Sequence, residues 1–325
     1  MEKLKVLTLR HYRDFKMQKS TPSRTPRDLE RMINNKTDQI EIADILFLKF
    51  SSDTGTILNQ GRRGSMYAPE AIMSVVKKLA SHNLLKWSEI ELANRTLEKN
   101  DFFNSQLALS LEIKQILSTQ TKTQKFIYLG GGHDYIYPSL RALNQLTKKM
   151  VVINLDAHLD TRTDPSPNSG TPFRQIAENF EGDFEIVQLG IHEFANSIST
   201  MSNLPNGREI VATYEDVRFG TKEFTETEKF LERILPFQEE TIYVFSLDAD
   251  ALESSVMEGV SAVNHRGLPY DFVEDVLLYA IDRLHCQHFG FFEYNPVYDN
   301  LSQKGARCLA SLIYQIMDER NFLES

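Results

Sequence analysis

Apolar residues in this chain gather into short, nearly unbroken runs, and the stretches between those runs carry apolar positions three and four apart. The runs at 45–50, 125–129, 151–155, 184–189, 241–247 and 287–292 predict strands buried on both faces. The amphipathic stretches predict helices at 69–79, 104–117, 137–148, 224–235, 270–284 and 302–318, with Pro69 placed for a first helical turn. Strand followed by helix, repeated, predicts α/β architecture: a mostly parallel sheet covered on both faces. In such a fold the chemistry collects at the carboxyl ends of the strands.

Ahead of that pattern the chain is polar. Residues 20–26 (Ser-Thr-Pro-Ser-Arg-Thr-Pro) read as a surface loop and 27–34 as a short helix. We therefore divide the chain into an N-terminal extension, 1–43, packed on one catalytic domain, 44–325. No linker, internal repeat or low-complexity tract interrupts the domain.

The strand ends carry the candidate chemistry. The run Val151-Val152-Ile153-Asn154-Leu155 leads into Asp156, His158 and Asp160, three potential metal ligands at every second position. A second strand ends in Asp248 and Asp250, and a third, Phe126-Ile127-Tyr128-Leu129, ends in Gly130-Gly131-Gly132-His133. Each segment alone has an ordinary reading. Strand-end aspartates bind backbone amides, a triple glycine can cradle phosphate, and a histidine beside a helix start can be merely hydrogen bonded. Together they supply four aspartates and two histidines, which suits two divalent ions of Mn²⁺ character with positions left for water and substrate.

Composition narrows the function classes. The 325 residues are 41% hydrophobic, enough for a sizeable core, and no apolar run approaches the 18 or so residues of a membrane span. The net charge of −9, from 36 basic and 45 acidic residues, disfavours nucleic acid and anionic lipid as partners. Two cysteines, Cys286 and Cys308, make no disulfide framework, and the N-terminus lacks a signal core, so the expected location is the cytoplasm. The expected partner is a small molecule. Serine-triad hydrolysis is not favoured, because no Gly-x-Ser-x-Gly elbow occurs.

Read in order, Gly130-Gly131-Gly132-His133, Asp156-Ala157-His158-Leu159-Asp160 and Ser246-Leu247-Asp248-Ala249-Asp250 resemble the signatures of the ureohydrolase superfamily, which comprises arginase, agmatinase and formimidoylglutamase. The resemblance runs from about Asp44 to the C-terminus. It implies an arginase-like three-layer α/β/α sandwich and two Mn²⁺ per chain, held by His133, Asp156, His158, Asp160, Asp248 and Asp250. Other stretches are most similar to the formimidoylglutamase branch: Asn59-Gln60-Gly61-Arg62, Asp160-Thr161-Arg162, Ser169-Gly170-Thr171-Pro172-Phe173 and Gly259-Val260-Ser261-Ala262. The histidine of the arginase second loop has no counterpart between His158 and His192. Glu258 departs from the family pattern, standing where Pro usually precedes Gly, which adds a charge near the expected pocket mouth.

The resemblance implies hydrolysis of N-formimidoyl-L-glutamate to L-glutamate and formamide, a step of histidine breakdown, with a guanidino ureohydrolase such as agmatinase and a non-catalytic metal-binding homologue as alternatives. Asp160 is then the proton carrier and Glu293, in Glu293-Tyr294-Asn295-Pro296, the partner of the cationic amidine. Asn59, Arg62, Arg162, Ser169 and Gly170 are the substrate-binding candidates, the two arginines for carboxylates. A structural ion pair remains the competing reading for each arginine, an ordinary strand-end acid for Glu293, and a pocket wall or structural position for His192. The superfamily also raises a closed homo-oligomer, which no residue pattern here selects.

Overall fold

The structure, a computed structural model, describes residues 30–82, 84–93, 101–119, 124–198, 200 and 204–318. Among these residues eight strands form one sheet: β1 (Ile45–Phe50), β2 (Trp87–Ala93), β3 (Lys125–Gly130), β4 (Lys149–Leu155), β5 (Asp183–Ile191), β6 (Arg208–Thr213), β7 (Ile242–Asp248) and β8 (His288–Phe292). Their order is β2-β1-β3-β8-β7-β4-β5-β6, and every neighbouring pair is parallel. Parallel strands need crossovers. Nine α-helices among the described residues supply or accompany them: α1 (Thr54–Leu58), α2 (Ala68–Val76), α3 (Phe102–Ser118), α4 (Ile136–Asn144), α5 (Pro172–Asn179), α6 (Tyr214–Gly220), α7 (Thr227–Ile234), α8 (Tyr270–Asp282) and α9 (Lys304–Ile316).

The pleat sorts each strand's side chains between two cores. Ile45, Phe47, Ile127, Val151, Ile153, Phe245 and Phe289 pack with Ile72 of α2, Val276 of α8 and Leu309 and Ile313 of α9 on one face. Leu46, Leu48, Tyr128, Val152, Ile186 and Val244 pack with Ile113 of α3, Leu140 of α4 and Phe173 of α5 on the other. The expected three-layer α/β/α architecture is thus present. Both faces of the central strands are apolar because both are covered.

Topology puts the chemistry in the middle. The chain passes from β3 to β4 across two positions that β8 and β7 fill later, so β3, β8, β7 and β4 stand side by side. Leu155 is level with Leu247, Asp248 with Phe292, and Leu129 with Phe291, which brings the four carboxyl ends to a common rim.

Several boundaries differ from the sequence reading. The helix expected at 224–235 starts at Thr227, since Lys222, Glu223 and Phe224 all have positive φ, a left-handed stretch that no α-helix accommodates. The helix expected at 137–148 ends at Asn144. Residues 27–29 of the predicted short helix lie outside the described residues, and its remaining part forms a 3₁₀ turn, Met32–Asn35, rather than α-helix. That turn is not loosely attached. Met32 is buried in the core and its carbonyl accepts the Trp87 indole N–H at 2.8 Å. Helices α1, α5 and α6 and strands β2 and β6 were not anticipated, although a capping box between Thr213 and Asp216 marks the start of α6.

Candidate metal centre

Two of the three strand ends curl in the same way. The Asp156 carboxylate accepts the His158 N–H at 2.7 Å, and the Asp248 carboxylate accepts the Asp250 N–H at 2.8 Å. Each bond closes an Asx turn, which tightens the chain so that side chains two positions apart converge. The backbone-binding reading of these aspartates and the ligand reading are therefore compatible, because each uses one oxygen in the turn and turns the other toward His133. The third strand end arrives through glycine. A Cβ on Gly131 would lie 1.9 Å from the Ser52 carbonyl oxygen, so only glycine lets β3 pass its neighbour there.

The donors fall into two groups. His133, Asp156, Asp160 and Asp248 form one; Asp156, His158 and Asp250 form the other; within each group the donor atoms lie within 4.8 Å of one another. Asp156 belongs to both. His133 Nδ1 stands 3.2 Å from Asp156, 3.1 Å from Asp160 and 3.4 Å from Asp248, and His158 Nδ1 stands 3.3 Å from Asp250. Adjacent donors around an octahedral ion with bonds near 2.1 Å are about 3 Å apart. His133 Nε2 is paired with the Ser246 hydroxyl at 2.9 Å, which leaves Nδ1 to present its lone pair to the site. Phe292 stacks on the imidazole and Phe173 meets it edge-on, fixing its plane.

Electrostatics give an independent test of fit. Burial, with the Asp156 charge beside it, pushes the Asp160 carboxyl up to about 6. Burial also pushes Glu293 up to about 7, and drives Asp248 well above the usual carboxylate range with Asp250 and Asp156 adding to the effect. Asp156 goes the other way: against the penalty of burial, hydrogen bonds with His133 and His158 bring it down to about 2. The same aspartates push the His158 imidazole up and, against the penalty of burial, the His133 imidazole too, so the pocket as a whole calls for positive charge, either protons on the imidazoles or a bound cation. The all-oxygen-and-imidazole donor set matches divalent ions of the Mn²⁺ type and lacks the thiolates a softer metal would select.

The substrate candidates separate into two places. Asn59, Arg162, Ser169 and Gly170 form one cluster: the Arg162 guanidinium donates to the Asn59 side-chain oxygen, to Asp164 at 2.7 Å and to Asn168 at 3.1 Å, and Asn59 donates to Ser169 at 3.0 Å. Gly170 lies flat against that guanidinium, where a Cβ would stand 2.9 Å from its central carbon. Arg62 is elsewhere. Its backbone N–H binds Ser261 and its guanidinium lies 4.7 Å above the Tyr298 ring. Glu293 sits at the end of β8, buried, with Oε1 accepting from the Thr56 hydroxyl at 2.9 Å and the His133 N–H at 3.0 Å. Glu258 does not hang free at the pocket mouth, because Asn300 donates to it at 2.7 Å and Lys304 stands 3.7 Å away. His192 is buried between the rings of Phe194 and Tyr214.

Sequence reasoning passed over the residues that support these groups. Asn154 and Gln188 are fully buried polar side chains within apolar strands, and that interruption was the available signal; Ser246 was read in its motif but given no role. Thr56, Asn168 and Asp164 lie in turns and short elements where polar residues are ordinary, so nothing marked them.

Fold and donor set together define a class, a three-layer α/β/α protein with a candidate divalent-metal centre at the carboxyl ends of its central strands. The arginase family model matches residues 43–318, and the chain belongs to the arginase family. The formimidoylglutamase of Cupriavidus pinatubonensis (strain JMP 134 / LMG 1197) is 30% identical over 283 residues, covering 84% of this chain and 86% of that protein. Among solved structures, the formimidoylglutamase from Bacillus subtilis has a TM-score of 0.78 at 21% identity, covering 94% of this chain and 96% of that one. The Trypanosoma cruzi formiminoglutamase with Mn²⁺ has a TM-score of 0.72 at 23% identity, covering 90% and 97%. The structural likenesses extend the fold comparison to nearly the whole chain.

Proposed function

We propose that this protein hydrolyses N-formimidoyl-L-glutamate to L-glutamate and formamide at a pair of Mn²⁺ ions. The observation that carries the reading is the sharing of Asp156 between two donor groups, beside a guanidinium held by the loop that follows Asp160. His133, Asp156, Asp160 and Asp248 would hold one ion, and Asp156, His158 and Asp250 the other. Ions bound there would supply Lewis acidity, making water acidic enough to attack the amidine carbon at neutral pH.

The chain's own residues do the rest. Asp160 takes a proton from the attacking water and returns it to the glutamate nitrogen as the bond between that nitrogen and the amidine carbon breaks. Formamide leaves with the water oxygen, and as its carbonyl forms the second water proton also passes to the glutamate nitrogen. The cationic amidine and water thus give formamide and glutamate as its ammonium, and atoms, protons and charge balance. Glu293 has Oε1 occupied by Thr56 and the His133 N–H, which directs Oε2 to the cationic amidine. Arg162, preset by Asn59, Asn168 and Asp164, presents the rest of its fork to one substrate carboxylate; Ser169 and Gly170 shape the approach, and Arg62 serves the second carboxylate. With a net charge of −9 and aspartates at the centre, a doubly anionic substrate needs such local arginines.

The test is product analysis after Mn²⁺ loading, with N-formimidoyl-L-glutamate, agmatine and arginine offered separately. Formamide from the first and no urea from the others is the expected result. Urea from agmatine without formamide overturns the substrate, and an inert, metal-loaded protein overturns catalysis.

A further inference from the structure

Asp160 is the ligand with the least natural backbone. Its φ is +52°, a left-handed conformation that an aspartate takes as a single residue where its surroundings hold it. Rotation about that bond is set by the peptide plane ahead of it, the one that carries the Leu159 carbonyl. Here that carbonyl accepts a hydrogen bond from the Gln188 side chain at 2.9 Å, and Gln188 is fully buried on β5. The Leu159 N–H in turn donates to Asn196 at 2.9 Å, and the Asn196 amide donates to the Ala157 carbonyl at 3.0 Å and the His192 carbonyl at 2.8 Å. Beyond Asp160, its own carbonyl accepts the Phe173 N–H at 3.2 Å, at the start of α5. Both peptide planes flanking Asp160 are thereby pinned.

Gln188 does not float. Its side-chain oxygen accepts from Asn154 at 2.8 Å, level with it on β4, and its amide reaches Glu209 at 3.4 Å. Asn154 also approaches the Asp156 carboxylate at 3.4 Å. A row of buried amides one pleat below the rim thus transmits the spacing of β4, β5 and β6 to the ligand loop. Side-chain amides suit this task because each offers a donor and an acceptor in one plane without adding charge to an already acidic site.

We propose that Gln188 and Asn196 are positioning residues: by gripping the carbonyl and the N–H of Leu159 they turn the Asp160 carboxylate toward His133, and so set the affinity of the cation held by His133, Asp156, Asp160 and Asp248. The inference rests on the reading of that group as a cation site. It assigns Gln188 and Asn196 no contact with substrate.

The experiment is equilibrium dialysis of the metal-stripped full chain against Mn²⁺, comparing wild type, Gln188→Met and Asn196→Ala, with metal-free melting curves alongside. Methionine preserves the volume of glutamine and removes its hydrogen bonds. Wild type should take up two ions per chain. In each variant the dissociation constant of one ion should rise about tenfold to hundredfold, the range for lost support of a metal ligand, and that of the other, which shares Asp156 with it, should rise several-fold less. Placing Gln188→Met in an Asp250→Ala background assigns the weakened constant, since the ion that remains there is the one Asp160 serves. A merely structural role would lower the melting temperature and leave both constants alone, and that result overturns the proposal. So does an equal rise in both. Asn196→Ala, which truncates a half-buried side chain, keeps the test open should Gln188→Met fail to fold. Wild type that takes up fewer than two ions overturns the cation-pair reading instead, a separate outcome.

Discussion

Replacing Asp156 by asparagine isolates what it means for one carboxylate to serve two donor groups. Asparagine has the same shape and keeps an oxygen for the His158 N–H, so the Asx turn survives while the shared negative charge is lost. With free Mn²⁺ at about 100 times the dissociation constant, each bound ion stabilises the folded state by about 2.7 kcal/mol, hence about 5.4 for two. An unfolding entropy of about 2.1 cal/mol/K per residue gives about 0.7 kcal/mol/K for the 325 residues, so two ions raise the melting temperature by about 8 °C. Asp250 belongs to one group only, and Asp250→Asn should retain about half of that rise, about 4 °C. Asp156→Asn should retain none. The assay is a pair of melting curves per variant, with Mn²⁺ and with chelator. A Mn²⁺-dependent rise in Asp156→Asn equal to that of Asp250→Asn would refute the argument that Asp156 bridges the two groups.

Further tests bear on substrate and stability. Arg162→Lys keeps the charge and loses the fork; the expected loss is about 1.5–3 kcal/mol in transition-state binding, or roughly tenfold to hundredfold in kcat/KM, with Mn²⁺ uptake unchanged, and unaltered kinetics would remove Arg162 from the substrate site. Arginine should be a poor substrate, because no histidine stands between His158 and His192 to serve as the arginase second-loop residue does; rapid urea release from arginine would contradict this. Lys125, at the foot of β3, is buried, and burial pushes its ammonium down to about 8 from the usual 10.5. The unfolded chain then binds the extra proton between pH 8 and 10.5, so stability should rise with pH across that window, and below it the penalty is present in full at about 3 kcal/mol. Lys125→Met should be more stable than wild type at pH 7 and lose the alkaline rise. Equal denaturation midpoints at pH 7 and pH 10 for the wild type would sink that reasoning.

Which strands could be read from the sequence depends on where they lie in the sheet. The six that were anticipated occupy the interior positions, where helices cover both faces and selection for burial writes a continuous apolar run. The two that were missed, β2 and β6, are the two edges. There Glu89, Glu91, Arg208 and Glu209 break the run, because an edge strand meets solvent and charged side chains guard it against pairing with other chains. Three lysines, Lys36, Lys49 and Lys77, surround Glu89 at 2.6–3.2 Å, an arrangement built from distant segments that no local pattern announces.

The donor atoms were legible for a similar reason. Side chains able to hold a divalent ion come from few residue types, here Asp and His, and their spacing along one strand end is a local property, so the candidates Asp156, His158 and Asp160 declare themselves in five residues. Residue types and local spacing alone establish which donors exist, that they end buried strands, and the alternation that makes those strands parallel. It took the packed fold to show that the three ends bearing candidate ligands stand side by side with the Glu293 end of β8, since the chain leaves two positions open between β3 and β4 and fills them more than 80 residues later with β7 and β8. The packed fold likewise decides that Asp156 serves both groups, that Arg162 joins Asn59 and Ser169 while Arg62 lies on Tyr298, and that Gln188 holds the carbonyl ahead of Asp160. Each of these depends on a distance between residues remote in the chain, and such distances are fixed by the packing of the sheet and its two helical layers.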